Sequence, residues 1–429
     1  MYLTNLIKYQ NLVLILFSLN IFFWDIHFEL FQLRFFYLLL IIPLIINFKD
    51  INELKKKFFF CTILILFFFF HLYINYRIDN IFNIKNYLSS IILVLTILII
   101  WENFKYLKKN FIFIIDTFLY IFVISTFFYY LLYIDIFINS LNIGCSYTGG
   151  MFSEKLSFLK GVKRFFLENS HLAMISPALI CYYIFKININ NINLYGSLRL
   201  LFVLLFILIS LHNFSFVFFV GLILSFISLL IINFKFQFII RYFIIILILL
   251  FSYFFVINKD KACNQKISDI NKFIIKDQKI LSKGESADQS NYKYNLSFAV
   301  YLQHFDIALK ALIERPLGFG INNYKVSFDK FEIYSRKTHH NLETGQKLNF
   351  MDGTNNLFKS VAEFGFFAII LYLLIFILSF SKKIPFEIKS FVIPLLVVQT
   401  FLRSSGYFNG GYLFCIIIFF IFYFKYRDN

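Results

Sequence analysis

Long apolar runs alternate with short polar breaks along nearly all of this chain. The runs fall near residues 6–24, 29–48, 57–75, 86–101, 111–133, 166–185, 198–212, 214–232, 239–257, 356–380, 387–402 and 407–424. Most approach the ~20 residues that an α-helix needs to cross ~30 Å of hydrocarbon. The pattern predicts an all-α polytopic membrane protein with about twelve transmembrane helices. It divides the chain into nine spans over 1–257, one large loop over 258–355 and three spans over 356–429.

The large loop is not uniform. Lys259 to Lys293 is polar and rich in Lys, Asp, Ser and Gln. From Tyr294 onward Leu296, Val300, Tyr301, Phe305, Leu309 and Leu312 recur at helical spacing, which predicts an amphipathic helix lying in the outer membrane interface. Arg315-Pro316 ends it, because the residue before proline is pushed out of the α region.

Charge sets the orientation. With the N-terminus and Lys8 inside, every second break is cytoplasmic, and these breaks hold Lys55-Lys56-Lys57, Lys108-Lys109, Lys186 with Arg199, Lys235 with Arg241, and Lys382-Lys383. Such alternation is the signature of cytoplasmic anchoring, and it puts both termini inside. The net charge of +17 has the same origin, so nucleic acid is not expected as a partner. The chain is 60% hydrophobic, above the about 45–50% of soluble domains. Its surplus of Phe, Ile, Asn and Lys resembles the bias of an AT-rich genome rather than a Phe-based function. The first run continues to Trp24 without a small-residue cleavage site and is expected to stay as a helix. Cys61, Cys181 and Cys415 lie in apolar runs as small apolar residues. Cys145 and Cys263 both face outward in this topology, which leaves a disulfide between them open.

Ionisable groups in or beside apolar spans are costly, so they are candidates for function. Glu168 and His171 stand one turn apart near the outer end of the sixth span, with Arg164 just before them. His212 ends the seventh span and Arg403 the eleventh, and Arg315, His339 and His340 lie in the large loop. All belong to the outer face. Taken singly, Arg164 and Arg403 suit lipid phosphates, a lone histidine suits a buried hydrogen bond, and Arg34 and Asp116 stand isolated near membrane edges. Together, arginines suit phosphate through bidentate hydrogen bonds, and histidine suits general-base work near neutral pH. A lipid-linked diphosphate sugar would place its diphosphate at this depth. No acidic pair has metal-binding spacing, so no metal or cofactor is expected, and no phosphate-binding or nucleophile-elbow motif occurs.

At these residues the chain resembles the superfamily of O-antigen polymerases and O-antigen ligases, bacterial inner-membrane glycosyltransferases. Arg315-Pro316-Leu317-Gly318-Phe319-Gly320 is similar to the Pro-Leu-x-Gly-x-Gly stretch of that family's large periplasmic loop. Asn355-Asn356-Leu357 through Glu363-Phe364-Gly365 is similar to the stretch that opens its next helix. Phe166 to Ala173, with Gly406-Tyr407-Phe408-Asn409-Gly410-Gly411, resembles polymerase-type members.

The resemblance implies a GT-C-like fold, an undecaprenyl-diphosphate-linked oligosaccharide donor, inverting transfer and no metal. Partners would be that donor, the lipid bilayer and a chain-length regulator protein. On this reading Arg164, Arg315 and Arg403 hold the diphosphate, and His171 or His339/His340 assists the acceptor hydroxyl, with Glu168 orienting His171 or binding sugar. Gly318 and Gly320 would let the loop approach the glycan. Asn355, Asn356, Glu363, Tyr407 and Asn409 complete the substrate-binding set. Ligase-like members carry His directly before the Asn of the helix-opening motif, where Thr354 stands here; with the Phe-Asn-Gly-Gly ending, this favours polymerase over ligase. A lipid-linked oligosaccharide flippase is the alternative of another class.

Overall fold

The computed structural model describes residues 11–12, 14–18, 22, 29–30, 33–34, 59, 62–73, 84–132, 169–186, 194–212, 215–233, 239–254, 268, 296–332, 347–349, 353–404, 406–407 and 410–425. Among them the regular elements are helices apart from two short strands, β1 (Glu29–Leu30) and β2 (Leu33–Arg34), paired antiparallel with Glu29 opposite Arg34. The expected run from residue 29 therefore begins with strand rather than helix at 29–30 and 33–34.

The helices are α1 (Thr62–Tyr73), α2 (Ile84–Glu102), α3 (Phe104–Lys109), α4 (Phe111–Leu132), α5 (Asn169–Ala173), α6 (Ser176–Lys186), α7 (Leu194–His212) and α8 (Phe216–Asn233). They continue with α9 (Ile239–Ser252), α10 (Leu296–Glu314), α11 (Tyr324–Phe331), α12 (Asn356–Phe364), α13 (Phe366–Ser379), α14 (Phe386–Phe401) and α15 (Tyr412–Lys425). Among the described residues, Phe111–Phe128 in α4 is the one stretch long and apolar enough to cross a membrane, and eight shorter apolar helices of 10–17 residues accompany it.

α14 is the centre of the bundle and packs on α6, α8 and α15. α6 is buried from Ser176 to Phe185, and its Tyr182 meets Phe391 of α14 edge to face, with ring centroids 5.9 Å apart. Cys181 and Cys415 are free thiols in this core, acting as small apolar groups.

Two expected spans are each broken in two. The first breaks between α5 and α6, where Pro177 has no N–H to continue the ladder and its ring would clash with the carbonyl four residues earlier. Ser176 Oγ instead donates to Leu172 O at 2.8 Å. The second breaks between α12 and α13 at Gly365, whose φ of +58° leaves the helical region. α15 begins at Tyr412, five residues after the expected start at 407.

Asp116 is not isolated. Its Oδ2 lies 2.6 Å from Arg199 Nη2 and its Oδ1 accepts from the Tyr183 hydroxyl at 2.7 Å, joining α4, α7 and α6. These partners are far apart in sequence, so no spacing rule could pair them.

A second, smaller core stands beside the bundle. Ile307 and Ala311 of α10, Phe319 of the following loop, Tyr324, Phe328 and Phe331 of α11 and Ala362 of α12 close on one another. This cap is what the amphipathic pattern beginning at Tyr294 becomes.

Candidate functional site

The cap is fixed to the bundle by backbone groups. Past Arg315, the chain turns so that Phe319 N–H donates to Ala362 O at 2.9 Å and Gly320 N–H to Glu363 O at 2.8 Å. Across the Gly365 break, Phe366 N–H donates to Pro316 O at 2.8 Å. Two glycines permit this approach. A Cβ on Gly318 (φ +83°) would stand 2.3 Å from Glu363 O, and one on Gly365 would stand 1.8 Å from Pro316 O. Gly318 and Gly320, expected against the glycan, thus serve the closure of the loop onto α12.

Glu363 is the polar node of that closure. It is fully buried; Oε1 accepts from Tyr324 N–H at 3.2 Å, and Oε2 accepts from the Tyr407 hydroxyl at 3.0 Å. Lys359, one turn earlier on α12, holds its Nζ 4.0 Å from Oε1 and over the Tyr407 ring at 5.4 Å. One carboxylate therefore ties α11, α12 and the segment after α14 together.

The other end of α12 is equally tied. Asn355 caps the helix: its Oδ1 accepts from Phe358 N–H at 2.9 Å, and its Nδ2 donates to Phe401 O at 3.2 Å, where α14 ends. Ser404 donates its hydroxyl to Asn356 Oδ1 at 2.9 Å and its N–H to Thr354 O at 2.9 Å. Thr354 sits at φ +66°, a strained conformation for a β-branched residue, and strain of this kind clusters at functional sites. A chain of hydroxyls runs on from Asn356 O through Tyr372 and Tyr412 to Thr400, with steps of 3.1, 3.0 and 2.9 Å. Within this buried network Thr354 Oγ1, Asn356 Nδ2 and Gln399 Oε1 have no hydrogen-bond partner among the described residues.

Arg315 and Arg403 bracket α12. The first lies beside its C-terminal end and the second beside its N-terminal end, and a nine-residue helix rises about 13 Å between them. Arg315 is buried, with its guanidinium stacked on Phe319 at 4.5 Å. Burial lowers its pKa from the usual value, yet an arginine starting so high stays charged at neutral pH.

The structure also supplies residues that the sequence reading passed over. His304 of α10 is fully buried; its Nε2 faces Leu348 O at 3.0 Å and its Nδ1 faces the Tyr324 hydroxyl at 2.6 Å. Since a carbonyl only accepts, Nε2 carries the proton and the Tyr324 hydroxyl donates to Nδ1. Burial pushes the imidazole down to about 4, and the Arg403 charge adds to the effect. Its signal was available: His304 sits four residues after Val300 and three before Ile307, both buried on the same face. Lys359 had no such signal, because a lysine near the start of an apolar run reads as an anchor.

His171 is buried in α5, which packs on α6 and α8. His212 closes α7. Arg164, Glu168, His339, His340, Asn409, Cys145 and Cys263 lie outside the described residues. Among the described residues no group of His, Cys, Asp and Glu is placed to hold a metal ion. Comparison of the chain with known protein families, with characterised proteins and with solved structures finds no match.

Proposed function

We propose that this chain is a twelve-span inner-membrane glycosyltransferase that polymerises undecaprenyl-diphosphate-linked oligosaccharide repeats at the periplasmic face. The observation that carries the reading is the junction at α12, where three segments distant in sequence meet. These are the loop after Arg315, α12 itself and the segment after Arg403, tied through Glu363 and Ser404. Two arginines and a strained threonine stand at the two ends of this one buried helix, and they support the reading.

On this reading Arg315 and Arg403 flank the donor diphosphate from the two ends of α12 and neutralise the charge that grows as it departs. The Thr354 hydroxyl and Asn356 amide, both beside Ser404, are buried beneath this junction and lack a hydrogen-bond partner among the described residues. His171, or the loop pair His339/His340, serves as base for the acceptor hydroxyl. The chemistry asks for no metal.

The flippase reading draws on one observation, the ionic pair Asp116–Arg199 within the bundle. That pair closes its own charge and lies away from the α12 junction, so it ranks second.

The gel ladder of surface glycan in cells lacking the protein is the test. Loss of a polymerase leaves one repeat unit on the lipid core, loss of a ligase leaves core alone, and loss of a flippase leaves repeats undelivered. Arg315→Ala and Arg403→Ala should each abolish long chains while the protein still inserts. A normal ladder in both sinks the assignment.

A further inference from the structure

α10 is apolar over more of its circumference than the cap covers. At 3.6 residues per turn, Val300, His304, Ile307 and Ala311 share the face that turns inward, and all are buried. The opposite side of the helix carries Phe305, Leu309 and Ile313, and the turn beyond the helix continues it with Leu317. These four are 42%, 47%, 68% and 42% exposed. The remaining arc holds the charged residues Asp306, Lys310 and Glu314. A helix on a water-facing cap buries one apolar stripe and shows water its polar side. α10 has a second stripe, and the cap does not cover it.

The stripe does not stop at the end of α10. Leu317 O meets His71 Nε2 of α1 at 2.5 Å, and Pro316 O accepts from the N–H of Phe366, which opens α13. α1 and α13 are joined there by the Phe67 and Phe367 rings, 5.1 Å apart. Both helices show large apolar side chains outward, Phe70 on α1 and Ile370 on α13 among them. The uncovered face of the cap is thus one surface with the outer faces of two apolar helices.

We propose that this surface is a membrane contact, with α10 lying in the interface and Phe305, Leu309, Ile313 and Leu317 among the acyl chains. Lys310 and Glu314 then face headgroups and water, as on interfacial helices whose apolar side sinks ~5–10 Å. Lipid is the occupant because the stripe runs into α13, which is apolar from Phe366 to Leu378. A second protein on the stripe would have to cover those helices as well. The inference rests on the membrane reading alone and is indifferent to whether the chain transfers sugar.

Tryptophan placed on the stripe tests it, in full-length protein reconstituted into phosphatidylcholine vesicles with Trp24 and Trp101 replaced by phenylalanine. Leu309→Trp and Ile313→Trp should lose emission to lipids brominated on the acyl chain and resist aqueous iodide, and Lys310→Trp should show the reverse. Iodide quenching of both stripe positions, without quenching by brominated lipid, overturns the proposal in favour of water. Quenching by neither overturns it in favour of a protein cover. If the tryptophan-free background does not fold, p-benzoylphenylalanine at 313 in the otherwise native chain gives a second reading. A lipid-mass adduct supports the proposal, whereas a crosslinked dimer or no adduct overturns it.

Discussion

The hydroxyl of Tyr407 donates to Glu363 Oε2 at 3.0 Å, a bond between residues 44 positions apart that joins the segment after α14 to the heart of the cap junction. Tyr407→Phe removes this bond to a buried carboxylate and should cost about 1.5–3 kcal/mol. Thermal unfolding of the detergent-solubilised protein reads the loss. An unchanged midpoint would show that Glu363 is held without Tyr407.

Gly318→Ala should be far worse than its one added carbon implies. The new Cβ meets Glu363 O at 2.3 Å in a left-handed backbone, so the loop must leave α12. Loss of more than about 3 kcal/mol is expected, with rapid proteolysis between α10 and α11 as the visible sign. Survival of the loop in limited proteolysis would contradict the close approach.

His304 makes the cap acid-sensitive. Burial holds the folded imidazole at about 4, below the ordinary 6.5, so the folded cap keeps it neutral while the unfolded chain takes up a proton. Its contribution is complete above pH ~6.5 and declines as pH falls towards 4, by about 3 kcal/mol in all. Hydrogen exchange of α10 and α11 against pH should show this slope, and His304→Gln should flatten it.

Arg199→Met should destabilise the bundle by about 2–4 kcal/mol, because it leaves the buried Asp116 carboxylate without its counterpart, and Asp116→Leu should cost less, because Arg199 is partly exposed. Combined with Tyr183→Phe, which removes the third member, the triple variant should lose less than either single one. A strictly additive loss would show that the pair is not coupled.

Asn355→Ala should cost about 1 kcal/mol for the lost cap of α12, and somewhat more because Phe401 O also loses its donor. The circular-dichroism melting midpoint checks it.

Periodicity carried the broad outline. The apolar run 111–133 is α4, the run 387–402 is α14, and the pattern from Tyr294 to Leu312 is α10. Chain-local chemistry was legible too: Arg315-Pro316 does close α10, and Asn355 does open α12. Three things were hidden. Apolarity continues across Gly365 and across Met174–Ile175, so hydropathy could not show those breaks. The pairing of Asp116 with Arg199 and Tyr183 depends on which helices become neighbours. The meeting of Glu363 with the Tyr407 hydroxyl and the Tyr324 N–H, and the close approach of Gly318 to Glu363 O, depend on which distant segments become neighbours.

The break at Gly365 has a mechanical side. Phe366, the first residue of α13, grips Pro316, while the last carbonyls of α12 grip Phe319 and Gly320. The joint therefore has no slack: a tilt of α13 in its surroundings must carry the Arg315 loop with it. A force applied to α13 would be passed through these bonds to the arginine's loop.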